Sequence, residues 1–446
     1  MRIEIANSEM FTTIFEKITS SKINRPITGI SNDSRKVKQG DLYIALEGEN
    51  TDGHNFLTEA SKKGANAALV NHKVKKVNLE QIIVSNPLDT IAMIANRWRR
   101  NFDIPIIAIT GSNGKTSTKD LLAHVLIDEF KVLATKGNYN TLLGLCLTMF
   151  ELRSFHEIAI LELGASKSGE IEALCKIAEP THGIITNIAS AHLEGFGSLE
   201  NIAREKGFLF KALENGIAFV NMADKYISQI SILGEKITYG LTPECDFPAD
   251  IYQEKDGTLT LILDTYEIPT NSHNFSFLKN CIPVSAISIT LGIKWDRLAK
   301  KLQNFSPPLG RCFVNQKDNI TIIDDTYNAN LASSIASLEY LNAFSNDGRK
   351  IFVFGDMLEL GQAAKEQHQD IGTKCSDLKI DIVFTIGEKT IHVHSKINDE
   401  IMNKHFKSKT DLIKSLKAII TTGDKILFKG SRGMKMEKII EGVFET

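Results

Sequence analysis

The chain has 446 residues, of which 42% are hydrophobic and 24% charged, a globular balance that excludes a disordered polymer. At about 150 residues per domain, this length predicts two to four domains. Lys and Arg total 52 against 54 Asp and Glu, so the formal net charge is −2, which excludes a broadly basic surface for gripping nucleic acid.

The six cysteines, Cys146, Cys175, Cys245, Cys281, Cys312 and Cys375, are scattered without a C-x-x-C pair. Reduced thiols in a cytoplasmic protein are expected, rather than a zinc ribbon or a redox motif. The opening MRIEIANSEMFTTIFEK lacks the apolar core, roughly 7–15 residues long, of a secretion signal. No run approaches the about 18 apolar residues of a membrane span.

The first block runs from Met1 to about Val84. It holds short strand-like runs, Asp41–Leu46 and Ala67–Val70, and a helical stretch near Asn55–Lys63, which together predict a small α/β module. In Pro87–Arg100, the apolar residues Leu88, Ile91, Ile94, Ala95 and Trp98 recur at helical spacing, so a helix leads into the second block. That block opens with the apolar strand Pro105–Ile109. Further apolar strands are predicted at Ile158–Leu161, Gly183–Thr186 and Ile217–Val220, with helical stretches between them. Continuous rather than alternating hydrophobicity marks strands buried on both faces, hence a mostly parallel sheet covered by helices. A third block starts near Gly310, with strands expected at Ile320–Ile323, Lys350–Phe354, Ile382–Ile386 and Lys425–Phe428. It reads as a second doubly wound, Rossmann-like domain. The fold class is therefore α/β in three domains, over residues 1–84, 85–310 and 311–446.

The sharpest motif is Ile109-Thr-Gly-Ser-Asn-Gly-Lys-Thr-Ser117, a buried strand feeding a glycine-rich turn and then a helix. Gly111 and Gly114 let the backbone approach an anion, and the freed N–H groups and helix dipole favour phosphate. Lys115 reaches the β- and γ-phosphates, and the Thr116 hydroxyl suits Mg²⁺. Ile109 stands where the standard spacing has its first glycine. The motif specifies a nucleoside triphosphate but no reaction.

Three residues downstream bear on the metal. Glu162 follows a strand, at the carboxyl end where ligands bind in such sheets, and an oxygen ligand there suits Mg²⁺. His192 follows another strand; taken alone, a single histidine is more often a structural hydrogen-bonder than a ligand. Lys206 falls in a predicted helix over Leu199–Leu213, where its plain reading is a solvated lysine.

Taken together, the motifs resemble the Mur ligase superfamily of ATP-dependent amide-bond-forming enzymes. Thr110–Thr116 resembles its phosphate loop, shortened spacing included. Gly137-Asn-Tyr-Asn140 with Gly144, Glu162-Leu-Gly, Ser168-Gly-Glu-Ile171, Asn187, Ala191-His-Leu-Glu-Gly195, Ala203-Arg-Glu-Lys206 and Gly310-Arg311 follow in the family's order. Within the superfamily, three further stretches resemble the ligases that add D-alanyl-D-alanine to UDP-N-acetylmuramoyl-tripeptide. They are Asn32-Asp-Ser-Arg35 with Gly40–Leu46 and Asp52-Gly-His54; Asp324-Asp-Thr-Tyr-Asn-Ala-Asn330; and Lys429–Glu437. The adenine-side motif departs from the family: Asn280 matches its last Asn, but Ser276-Phe277 stand where His-Asn is usual, and His273-Asn274 lie three residues early.

The resemblance implies an acyl-phosphate mechanism in a monomer. Lys115 and Asn140 would act at the phosphates, with ATP also held by Gly111, Ser112, Asn113, Gly114, Thr116, Ser117, Asn280, Arg311 and Asp325. Thr116 and Glu162 would hold one Mg²⁺, and His192 with a carbamoylated Lys206 a second. Ser34 and Arg35 would meet the uridine diphosphate, because an arginine fork suits a pyrophosphate. Asn328, Asn330, Ser431 and Arg432 would hold the dipeptide. Gly430–Gly433 is expected to precede a helix, as an anion site or an ordinary cap.

Overall fold

The computed structural model describes every residue except Glu49, Asn50, His192, Asp256, Asn346, Glu445 and Thr446. Three sheets follow one another along the chain, with five, nine and six strands.

The five-stranded sheet runs in chain order through Arg2–Glu4, Gly29–Ser31, Asp41–Ile44, Ala67–Val70 and Glu80–Ile83. Its first pairing is antiparallel and the rest are parallel. The helix Pro87–Arg99 follows. Asn86 caps it, its side chain accepting from the N–H groups of Leu88 and Asp89, with proline at the first helical position, where no amide hydrogen is needed. This helix joins two modules rather than separating them. Trp98, 1% exposed, packs edge-on against Phe150 of the next module, and Phe150 packs in turn against Phe11 of the first, at ring distances of 6.0 and 5.5 Å. One core therefore runs through both.

In the nine-stranded sheet the strand Ile106–Thr110 is central, flanked in parallel by Ile158–Glu162 and His182–Ile185. Its side chains alternate between two cores. Ile106 and Ala108 face the core shared with the first module, whereas Ile107 and Ile109 face the helices Lys115–Leu126 and Phe275–Thr290. This two-sided burial is what the continuous apolar runs predict.

The far edge was not predicted. Beyond Ile217–Asn221 lie Glu235–Gly240, Phe247–Gln253, Leu259–Leu263 and Tyr266–Pro269, the last two pairings antiparallel. Phe247–Gln253 carries half-exposed and exposed residues, so no apolar run marks it.

The six-stranded sheet has the order Phe313–Lys317, Ile320–Asp325, Lys425–Lys429, Lys350–Gly355, Ile382–Ile386, Met402–Phe406, parallel except for the first hairpin. Helices cover both faces, giving the doubly wound arrangement expected. Gly430–Gly433 precedes a helix as expected, though not immediately: Arg432–Met434 is a single 3₁₀ turn, Lys435 turns left-handed, and the helix begins at Glu437. All six cysteines are free. No helix among the described residues is long and apolar enough to cross a membrane.

Candidate active site

The strand Ile106–Thr110 ends in Gly111, and the helix Lys115–Leu126 starts after Gly114. Gly111 has φ +145°, and a Cβ there would lie 1.9 Å from Thr186 Oγ1; Gly114 has φ +80° and sits against the Asn280 side chain. Both conformations favour glycine, and at Gly111 space requires it as well. The next strand end grips the loop. Asn187 accepts from the N–H of Ser112 at its carbonyl (2.9 Å) and from the N–H of Asn113 at its Oδ1 (3.0 Å), while the Thr186 hydroxyl donates to the Asn113 carbonyl. Lys115 Nζ donates to the carbonyls of Gly111 (2.7 Å) and Ser112 (3.3 Å). Burial pushes the Lys115 amine below the usual lysine range, Arg311 adds to this and Glu162 opposes it.

Glu162 is the last residue of its strand rather than the residue just after it, and is 2% exposed. Its Oε1 accepts from Asn140 Nδ2 at 2.7 Å, whereas Oε2 is buried without a hydrogen-bond partner. An unpartnered buried carboxylate oxygen is costly unless something cationic takes it. With the Thr116 hydroxyl at the same cleft, the donors are all oxygen, the set that Mg²⁺ prefers.

Lys206 is not the solvated lysine its helix position suggests. It is 2% exposed within Leu199–Lys211, and burial, followed by the charge of Lys115, pushes its amine down to about 7. Its neighbour Glu205, also buried, accepts from the N–H groups of Gly169 and Ile171 at 2.7 Å each, anchoring this helix to the start of Glu170–Ala178. His192 lies outside the described residues.

The third module closes over the phosphate loop. Arg311 lies 3.8 Å above the Tyr327 ring and donates to Thr116 Oγ1 at 3.1 Å. Asn330 caps the helix Leu331–Ala343 with its side-chain oxygen and donates its amide to Asn113 Oδ1 at 2.6 Å. Asp325 is buried and ion-paired with Lys429, and it also accepts from Ser337 Oγ and from the Cys312 N–H. Ser431 ties loops together, accepting from the Leu358 N–H at 2.8 Å, and Asn328 Oδ1 accepts from the Arg432 N–H at 3.4 Å.

A cleft of about 1360 Å³ brings these groups together. Residues 112–117, Asn140, Glu162 and Asn280 line one wall; Arg311, Asp325, Asn328, Asn330, Ser431 and Arg432 line the other. Gly111, Lys206, Ser34 and Arg35 lie outside this lining. The Ser34 hydroxyl donates to Glu59, and Arg35, with its side chain 80% exposed, pairs with Asp33, holding that carboxyl down at about 2. Asn274, near the displaced adenine motif, caps the helix Phe275–Thr290 and also lines the cleft. Sequence reasoning did not select Thr186, Asn187 or Tyr327 as site residues. The signal available was position: two stand at a parallel strand end, and Tyr327 within the Asp-Asp-Thr-Tyr-Asn motif.

A phosphate loop, a buried carboxylate with an unpartnered oxygen and a second α/β module closing over both define the architecture of an ATP-dependent ligase of the Mur class. Family models match in chain order: Mur ligase family, catalytic domain, at residues 26–99; Mur ligase middle domain at 109–278; and Mur ligase, glutamate ligase domain, at 310–432. The UDP-N-acetylmuramoyl-tripeptide–D-alanyl-D-alanine ligases of Bacillus subtilis and Escherichia coli are 34% and 32% identical to this chain, each alignment covering 94% of both proteins. The crystal structure of a MurF ligase from Thermotoga maritima in complex with ADP superposes with a TM-score of 0.86 at 28% identity, over 98% of this chain and 99% of that one. A MurF from Acinetobacter baumannii gives 0.88 at 28% identity, over 98% of each. The chain belongs to the family of UDP-N-acetylmuramoyl-tripeptide–D-alanyl-D-alanine ligases.

Proposed function

We propose that this chain is the ATP-dependent amide ligase that joins D-alanyl-D-alanine to UDP-N-acetylmuramoyl-tripeptide, making the pentapeptide precursor of peptidoglycan. The observation that carries the reading is the single cleft in which Lys115, Thr116 and Glu162 face Arg311, Asn328 and Asn330. An ionised carboxylate is a poor electrophile, so the tripeptide's terminal carboxylate first takes the γ-phosphoryl group of ATP, releasing ADP. The dipeptide amine then attacks the acyl phosphate, and phosphate leaves from the tetrahedral intermediate. Charge spreads over phosphoryl oxygens throughout, so positioning and neutralisation are the protein's main tasks.

Lys115 exchanges its loop carbonyls for the β- and γ-phosphates, and the N–H groups at the start of its helix receive the same anion. Asn140 orients Glu162 and stands beside the γ-phosphate. Thr116 and Glu162 hold one Mg²⁺; His192 and a carbamoylated Lys206 hold a second, a role that rests on the family resemblance. Bound there, Mg²⁺ supplies charge neutralisation at the phosphates. A Lys206 amine that is neutral near pH 7 is the form that takes up CO₂. Gly111, Ser112, Asn113, Gly114, Ser117 and Asn280 complete the nucleotide site, with Arg311 on a phosphate and Asp325 on the ribose. Asn328, Asn330, Ser431 and Arg432 receive the dipeptide, while Ser34 and Arg35 meet the uridine diphosphate.

We assign residues 1–84 to the UDP-substrate domain, 85–310 to the ATP domain and 311–446 to the dipeptide domain. The protein acts as a cytoplasmic monomer on small-molecule substrates, without a nucleic-acid partner. The test is phosphate release from ATP·Mg²⁺ with the UDP-linked tripeptide, with and without D-alanyl-D-alanine, and mass spectrometry of the product. A pentapeptide formed only with both substrates is expected. Release indifferent to both would refute the ligase reading, and release with another amine would move the error to the dipeptide site.

A further inference from the structure

Away from the cleft, two adjacent parallel strands of the first sheet, Asp41–Ile44 and Ala67–Val70, end side by side. The residues just beyond these ends gather around two imidazoles. Glu47, His54 and His72 each place a potential ligand atom within 4.8 Å of the others. Glu47 forms a bridge with Asp52, and the Gly53 N–H donates to the Leu46 carbonyl at 2.8 Å. Gly53 cannot be enlarged, since a Cβ there would lie 2.7 Å from the Leu46 nitrogen. Glu47 and His54 are therefore tied together through Asp52, Gly53 and Leu46.

The hydrogen bonds orient both imidazoles. His54 Nδ1 lies 2.7 Å from Asp52 Oδ1 and Nε2 faces a backbone donor, so Nδ1 carries the proton and Nε2 the lone pair. His54 Nε2 accepts a long, 3.3 Å bond from the Asn71 N–H. His72 Nδ1 lies 2.6 Å from Asn71 Oδ1, an acceptor, so Nδ1 carries a proton and Nε2 is the nitrogen left to face a ligand. The Asn71 amide in turn donates to Glu47 Oε1 at 2.8 Å. An oxygen acceptor on the non-ligating nitrogen of each histidine is the outer-shell pattern that orients imidazoles toward metals.

We propose that Glu47, His54 and His72 bind a divalent transition cation, with Zn²⁺ as the preferred ion, clamping Glu47 and His54 to the end of the neighbouring strand. Two imidazoles and one carboxylate match the nitrogen and oxygen donors of three-ligand zinc sites, with water as the fourth ligand. The two rings are stacked, 4.2 Å between centroids and 19° between planes, so their in-plane lone pairs do not yet converge. His72 is exposed and can turn about its Asn71 hydrogen bond, whereas His54 is buried. Binding thus unstacks the pair and displaces the long Asn71 bond.

The test is Zn²⁺ titration by calorimetry of the full chain, with the cleft saturated by Mg²⁺·ADP, alongside Co²⁺ absorption spectra. The parent chain is expected to bind one ion that His72→Ala and Glu47→Gln each lose; both changes are at exposed positions. Asp52→Asn is expected to weaken binding by ~10–100-fold, the usual cost of removing an outer-shell partner. Tetrahedral Co²⁺ bands present in the parent and missing in His72→Ala would agree. Equal Zn²⁺ stoichiometry and affinity in the parent, His72→Ala and Glu47→Gln would overturn the proposal, as would the absence of binding in the parent.

Discussion

Replacing Lys429 with methionine tests the wall of the cleft that the third module supplies. Lys429 and Asp325 pair at 2% and 10% side-chain exposure, and Lys429 also donates to the Asn328 carbonyl at 3.1 Å. Removing one partner of a buried pair leaves an uncompensated charge, at a cost of about 3–5 kcal/mol. Here Asp325 keeps two donors, Ser337 Oγ at 2.6 Å and the Cys312 N–H at 3.2 Å, so the lower end, ~3 kcal/mol, applies. That is roughly a 100-fold rise in the opening equilibrium of the six-stranded sheet. Because a chain of several modules need not unfold in one step, the assay is hydrogen exchange resolved by peptide over Ile320–Asp325 and Lys350–Gly355. In the double variant Lys429→Met with Asp325→Asn, no charge remains unpaired, so its loss should be smaller than the sum of the two single losses. A Lys429→Met change under ~0.5 kcal/mol, or strict additivity in the double variant, would refute the reasoning.

Three further outcomes are expected. Gly111→Ala forces a Cβ onto Thr186 Oγ1 and should weaken nucleotide binding by ~10–100-fold, an overpacking cost of about 1–3 kcal/mol, measured by fluorescence with a labelled ADP. The Lys206 amine sits at about 7, so its neutral, CO₂-reactive fraction falls ~tenfold for each pH unit below that value. Stimulation of ligation by bicarbonate in CO₂-depleted buffer should therefore shrink from pH 8 to pH 6 and vanish in Lys206→Ala; a stimulation indifferent to pH would contradict carbamoylation. Trp98→Ala should destabilise by about 3–5 kcal/mol and loosen the first sheet together with the central one, because the core is shared; calorimetry showing loss in only one of them would count against that continuity.

How far the sequence carried depended on the kind of signal. The strand entering the phosphate loop was legible because Ile106 to Ile109 are buried on both faces, and the helix at Lys115 because the glycine turn announces it. The strands after Asn221 were not, since Phe247–Gln253 mixes half-exposed and exposed residues and owes its form to its neighbours. At the site, residue type and spacing singled out Lys115, Thr116 and Glu162. They could not show that Asn187 grips the loop or that Asn330 reaches Asn113, because those contacts join residues 74 and 217 positions apart. Nor could spacing show Lys206 as buried, since burial there is decided by the helix face that Glu205 anchors to the start of Glu170–Ala178.

Lys115 resting on the carbonyls of Gly111 and Ser112 has a bearing on what can compete for this cleft. The lysine already has partners, so an arriving β-phosphate must displace them, and the gain is only the difference between a carbonyl and an anion. A ligand that stops at the nucleoside leaves the lysine where it is and forgoes little. Small, uncharged occupants of the adenine side should therefore bind closer to ADP in strength than a count of phosphate contacts suggests. An inhibitor built to reach Lys115 gains most by carrying a full negative charge to it, whereas a neutral acceptor there merely trades one carbonyl for another.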